Sequence, residues 1–278
     1  MTTLCKKEFT GERALFKSNG LNIKHSVFFD GESPLKESEN LEIVESKFEW
    51  KYPLWYTTNV KLSESTLSET ARSGIWYTND IEISNTQISA PKTFRRSNRI
   101  KLTNVTLPNA TETFWSCKDI VLNQVSAKGD YFGMNSENFE INQLDLEGNY
   151  SFDGVKNIVV RDSRLISKDA FWNSENVNVY NSFISGEYLG WNSKNLTFIN
   201  CTIESLQGLC YIENLVMIDC SFVNTTLAFE YSTVNITSKT TIDSVFNPAS
   251  GTISAPGIGS IILDQTKIDP SKTTITLE

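Results

Sequence analysis

"WNSKNLTFINCTI", from Trp191 to Ile203, follows by nineteen residues the near-copy "WNSENVNVYNSFI", from Trp172 to Ile184. With Asn195 as an anchor, equivalent positions fall at Gly20, Asn40, Asn59, Asp80, Arg99, Asp119, Asn138, Asn157, Asn176, Asn214 and Thr233. The steps are 20, 19, 21, 19 and 20 residues, then six of 19. One residue after every anchor the chain is apolar, from Leu21 and Leu41 through to Leu215 and Val234. Three after it the same holds, from Ile23 and Ile43 to Met217 and Ile236. In a chain that is 39% apolar, two such columns arise by chance with a probability of about 10⁻¹⁰. The repeat is real.

Polar residues separate the two columns, so the local period is two, the pattern of a half-buried strand. Five after the anchor the residue is usually Asn or Asp (Asn85, Asn104, Asp162, Asn181, Asn200, Asp219). These side chains tolerate left-handed backbone and bond their own main chain, which makes that column a corner. An apolar residue returns at +8, as in Ile88, Leu107, Leu165 and Phe222. Another apolar column stands five before the anchor: Leu54, Ile75, Phe94, Phe114, Phe152, Phe171 and Leu209. Small residues nine before it suit a tight corner. Two or three short strands per unit and no helical segment predict an all-β fold, a parallel β-helix. It would have about twelve coils of 19–21 residues. Leucine-rich repeats need a leucine framework and usually a helical turn per unit, which these units lack. The spacing predicts a single domain over 1–278, with an N-terminal cap at 1–19, repeat coils at 20–242 and irregular C-terminal coils or a cap at 243–278.

The formal charge of −8 argues against non-specific nucleic-acid or anionic-membrane surfaces. No apolar run is long enough to span a bilayer, and the opening residues carry no secretory pattern. Five cysteines without a C-x-x-C pair fit reduced thiols in the cytoplasm. Cys201 and Cys220 share the +6 column, where a buried ladder of small residues is expected. No metal site and no cofactor is implied. The only histidine, His25, takes a corner position. Oligomeric state is not readable from the sequence.

The less repetitive half of each coil is where chemistry belongs. Five of the six tryptophans fall in one column, four before the anchor: Trp55, Trp76, Trp115, Trp172 and Trp191. Neighbouring residues of a strand face opposite ways, so an inward Phe/Leu column at −5 sends the tryptophans outward. Asn173, Asn192, Tyr131 and Tyr188 lie beside them. Flat rings for the apolar faces of sugars, with amides and carboxylates for the hydroxyls, suit a carbohydrate-like ligand. Rings that merely pack on one another would instead make a stabilising ladder. For catalysis, glycoside hydrolysis needs two carboxyls about 5–9.5 Å apart. Asp130, Asp153 and Asp169 are candidates, and Lys168 is available as a base for elimination. "RIK" at Arg99–Lys101 echoes a polygalacturonase motif, but its companion elements are missing.

Several strings are distinctive: "FDGESPLKES" (29–38), "WKYPLWY" (50–56), "GIWYTN" (74–79), "KDAFWN" (168–173), "YLGWNSKNLTFINC" (188–201) and "QGLCY" (207–211). Through them the chain, from about Phe9 to Tyr231, resembles an uncharacterised bacterial family of single-stranded right-handed β-helix proteins in the pectin-lyase-like superfamily. The resemblance implies the fold and its right-handed winding, and it transfers no catalytic residue to this chain. The leading expectation is a non-catalytic binder of a carbohydrate-like ligand or a partner through the aromatic stripe. A polysaccharide-active lyase or glycoside hydrolase using carboxylates on the same face, and a purely structural scaffold, remain open beside it.

Overall fold

The computed structural model describes residues 1–277 and is built almost entirely of short parallel strands. The chain forms a parallel β-solenoid of about fifteen turns, divided into two compact units, the first ending at Asp145 and the second beginning at Leu146. Two single 3₁₀ turns, Glu69–Ala71 and Pro270–Lys272, are the only helical segments among the described residues.

In the first unit the strands Thr2–Cys5, Asn19–Lys24, Glu39–Val44, Thr58–Ser63, Asn79–Ile88, Asn98–Leu107 and Lys118–Lys128 stack one per turn. Leu21 faces Leu41 and Ile23 faces Ile43, so each apolar column is continuous. The +8 column forms a second ladder, Glu8–Phe9, Val27–Phe28, Lys47–Phe48 and Thr66–Leu67. Inside it, Phe9, Phe28 and Phe48 stack with centroids 4.7 and 4.5 Å apart. The second unit repeats the scheme with Lys156–Arg161, Glu175–Tyr180, Lys194–Ile199, Glu213–Thr226, Thr233–Ser238, Ser250–Ala255 and Thr273–Leu277.

The expected twelve coils are therefore too few. The residues assigned to caps also stack: Thr2 pairs with Leu21 at one end, and Ile253 pairs with Ile275 at the other. The C-terminal turns were hidden because their steps change, 17 residues from Val234 to Gly251 and 22 from Gly251 to Thr273.

The corner residues adopt left-handed backbone as expected, for example Asn85, Asn104, Asn181 and Asn200. His25 does so too, with its Nδ1 3.1 Å from Glu45. Every anchor but Thr233 is also left-handed, and the strand register passes over them: Asn79 pairs with Asn98 and Ile81 with Ile100. Left-handed backbone costs a non-glycine residue roughly 1 kcal/mol. Bonds between successive anchors offset it. Asn59 donates to Asn40 at 2.7 Å, Asn195 to Asn176 at 3.0 Å and Asn214 to Asn195 at 2.9 Å. Arg99 pairs with Asp80 in the same way, and that bond holds the Asp80 carboxyl below its ordinary range. Arg99 is thus an anchor beside the buried Ile100, and "RIK" is part of the ladder.

Cys201 and Cys220 are buried in the expected ladder, their thiols donating to the Val179 and Phe198 carbonyls at 3.4 Å. All five cysteines are free.

Candidate functional site

The column at −5 is the floor of the stripe. Leu54, Ile75, Phe94, Phe114, Phe152, Phe171 and Leu209 are all fully buried. The tryptophans next to them point outward and are half-buried. Three of the five have their polar edge engaged by the fold. The indole nitrogens of Trp55, Trp76 and Trp172 donate to the carbonyls of Ser73, Lys92 and Tyr188 at 2.5, 2.8 and 3.0 Å, each one coil further on.

In the first unit the ring faces are also largely taken. Trp55 and Trp76 stack at 5.2 Å and 9°. Arg95 fills the next place in the column, its guanidinium carbon 4.6 Å from both the Trp76 and Trp115 rings. Glu112 holds it at 3.1 Å and also pairs with Lys92 at 3.0 Å. A planar cation between two indoles continues the stack by cation–π attraction. The stripe expected from the sequence did not include Arg95. A Trp-x-Arg-x-Trp order at coil spacing was the signal that it acts as a ring.

What the stripe presents to solvent lies one residue further along. Tyr56 is 46% exposed and Tyr211 39%. Tyr56 and Tyr77 stack at 4.6 Å. Asn173 and Asn192 are exposed and form an amide row, Asn192 donating to Asn173 at 2.8 Å and Asn173 to Asp153 at 3.0 Å. Beside this row Trp172 and Trp191 tilt at 6.3 Å, and Trp191 stacks on Tyr211 at 4.7 Å. Tyr188 meets Trp191 edge-on at 5.6 Å. Trp172 heads this run, because Asp153 and not a ring occupies its column one coil earlier. Of the expected contact residues, Trp172, Trp191, Asn173, Asn192 and Tyr188 thus gather in the second unit. Trp55, Trp76, Trp115 and the exposed Tyr131 belong to the first.

The carboxylate candidates divide likewise. Asp130 is an exposed residue of the first unit, whereas Asp153, Asp169 and Lys168 share the second. Lys168 makes a poor general base. Its ammonium group lies 3.2 Å from the Glu187 carboxylate, so Lys168 keeps its proton more firmly than an ordinary lysine does. Asp169 is the outlier. It is 3% exposed, and its Oδ1 is buried without a hydrogen-bond partner. Burial first, then the charges of Glu187 and Asp153, push its carboxyl above the ordinary range, while Lys168 pulls the other way. Sequence reasoning named Asp169 but missed its burial. The available signal was an acid in a column that holds Tyr150 one coil earlier and Tyr188 one coil later.

That environment predicts a pH effect. In strong acid Asp169 is protonated whether the chain is folded or unfolded. As pH rises the unfolded chain ionises first, so folded stability falls until the folded carboxyl also ionises. Asp169→Tyr removes this falling segment. It also completes the tyrosine row with a residue that already adopts the same left-handed backbone at 150 and 188. Thermal melts across the acid-to-neutral range should show the variant more stable at neutral pH by about 1–2 kcal/mol. The gain should shrink toward acid.

Among the described residues no group of three or more His, Cys, Asp or Glu side chains is arranged to hold a metal ion. No helix of the described residues is long and apolar enough to cross a membrane.

A solenoid carrying an outward aromatic and amide stripe is the class that fold and site define. Over residues 2–276 the chain matches the family described as "Protein of unknown function (DUF3737)", and it belongs to that family. No curated protein matches it. Among solved structures it is similar to PfbA, a surface adhesin of Streptococcus pneumoniae, at 10% identity. That match covers 93% of this chain and 83% of PfbA, with a TM-score of 0.48. It is also similar to the A-module of the Azotobacter vinelandii mannuronan C-5 epimerase AlgE4, at 10% identity over 100% of this chain and 89% of that one, TM-score 0.31. A third likeness is to QnrB1, a plasmid-mediated fluoroquinolone resistance protein, at 12% identity over 65% and 85%, TM-score 0.31. Likenesses this distant carry nothing about activity.

Proposed function

We propose that the protein binds a carbohydrate-like ligand along its aromatic stripe without converting it. The observation that supports this best is the exposed row of Asn173 and Asn192 beside the Trp172, Trp191 and Tyr211 rings. Rings accept the C–H faces of a sugar, and amides both donate to and accept from its hydroxyls. Trp172 with Asn173 and Trp191 with Asn192 repeat the surface on two successive coils, about 4.8 Å apart, so two adjoining units of a repeating ligand would meet equivalent groups. The bonds from Asn192 to Asn173, from Asn173 to Asp153 and from the Trp172 indole to the Tyr188 carbonyl order these groups before binding, which lowers the entropy lost on binding. Five unpaired cysteines support a reducing compartment, the cytoplasm, as the place of action.

The test is a titration of the whole protein with a panel of neutral, acidic and amino oligosaccharides, read by tryptophan fluorescence. Parallel assays would follow new reducing ends and unsaturated-uronate absorbance. Saturable binding without product is expected. Product formation, or no binding by any member, would overturn the reading. Asp153 and Asp169 are the carboxyls to examine if product appears.

A further inference from the structure

We infer that the second unit's stripe selects a cationic amino sugar, whose ammonium group is received by the Asp169 carboxylate between Tyr150 and Tyr188. This rests on the proposed binding function and names the chemistry of its ligand.

The backbone sets the arrangement. Tyr150 bonds to Lys168 at 2.8 Å, Asp169 to Glu187 at 2.9 Å and Tyr188 to Leu206 at 3.2 Å, so the coil of Asp169 lies between those of the two tyrosines. All three residues have φ of 55–57°, so the three coils share one backbone conformation at this place. Asp169 is 3% exposed while Tyr150 and Tyr188 are half-buried, so its carboxyl lies deeper than the two tyrosines. Trp172, on the same coil, meets the Tyr150 ring edge-on at 6.4 Å.

A buried carboxylate oxygen without a donor is costly, and a packed tyrosine would be cheaper at this place. Such an oxygen suits a donor brought by a ligand. The charge around it defines that donor. Asp153 and Glu187 both act on Asp169, and Lys168 is the one cation among the charged groups acting on it. Lys168 shows what the surface holds: its ammonium group lies 5.4 Å over the Tyr188 ring while paired with Glu187. A ligand ammonium that displaces this side chain would take the same ring and meet the charge of Asp169 on the same coil as Lys168. Three carboxylates against one amine disfavour a uronate at this point.

Two ligands with one backbone separate charge from shape: a fully deacetylated glucosamine hexamer and its N-acetylated counterpart. Isothermal titration of the intact protein should show the glucosamine hexamer binding at least about tenfold tighter. Asp169→Asn keeps the shape and removes the charge. It should abolish that preference while the melting temperature holds or rises, whereas a merely structural Asp169 would lower it. Asp153→Asn, at an exposed amide row, serves as a second variant and should weaken the preference in part. Equal or tighter binding of the N-acetylated hexamer would overturn the inference, as would an unchanged preference in Asp169→Asn. If neutral or acidic sugars bind and glucosamine gains nothing, only the choice of ligand fails. If no sugar of any charge binds, the binding function fails with it.

Discussion

Phe28→Ala is expected to cost about 3–5 kcal/mol of unfolding free energy, the range for a truncated buried aromatic. Phe28 is 2% exposed and is the middle ring of three, 4.7 Å from Phe9 and 4.5 Å from Phe48. Its loss removes two stacked contacts and leaves a cavity between two coils that cannot close around it. A solenoid coil buries its apolar face only against its neighbours, so the defect weakens the interface on both sides. Chemical denaturation should show a lower midpoint with little change in slope. A cost below about 1 kcal/mol would mean that the Phe9–Phe48 ladder is not packed as described.

Gly31→Ala should be comparably damaging for a different reason. Gly31 has a φ of +141°, and a Cβ there would stand 2.1 Å from the Gly11 carbonyl oxygen and 2.4 Å from its carbon. Those are backbone atoms of the preceding coil, so relief requires the coils to separate. We expect a loss of at least about 2 kcal/mol, measured by thermal melting. Gly20 supplies the control. Its φ is +71° and nothing lies within 4 Å of an added Cβ. Gly20→Ala should cost only about 1 kcal/mol, the ordinary penalty for left-handed backbone. Equal effects at the two glycines would show that coil contact is not the cause.

The sequence exposes the ladder and conceals much of what decorates it. The columns of Leu21 and Ile23 were legible because every coil must bury the same two places, and a fixed step makes them add up. Asn85 and Asn181 marked their corners by residue type alone. The left-handed residues Tyr56, Tyr77 and Tyr188 did not, because tyrosine has no preference for that backbone and only the stacked coils impose it. The outward sense of Trp172 followed from alternation against Phe171. Its satisfied indole nitrogen did not, since the acceptor is a carbonyl of the next coil. Arg95 was left out of the stripe because a guanidinium replaces a ring by geometry and not by hydrophobicity. The burial of Asp169 arises where coils stack, which no local pattern records.

The most direct measurement is the oligosaccharide titration repeated on the double variant Asn173→Ala and Asn192→Ala, using whichever sugar binds the native protein most tightly. Both side chains are exposed and both residues are left-handed. The double variant should therefore lose about 2 kcal/mol yet remain folded, which a thermal melt checks, and the tryptophan signal should persist. Each lost amide hydrogen bond is worth about 0.5–1.5 kcal/mol, so affinity should fall by roughly tenfold. An unchanged affinity in the folded variant would mean that the sugar binds elsewhere and that the stripe serves the fold alone.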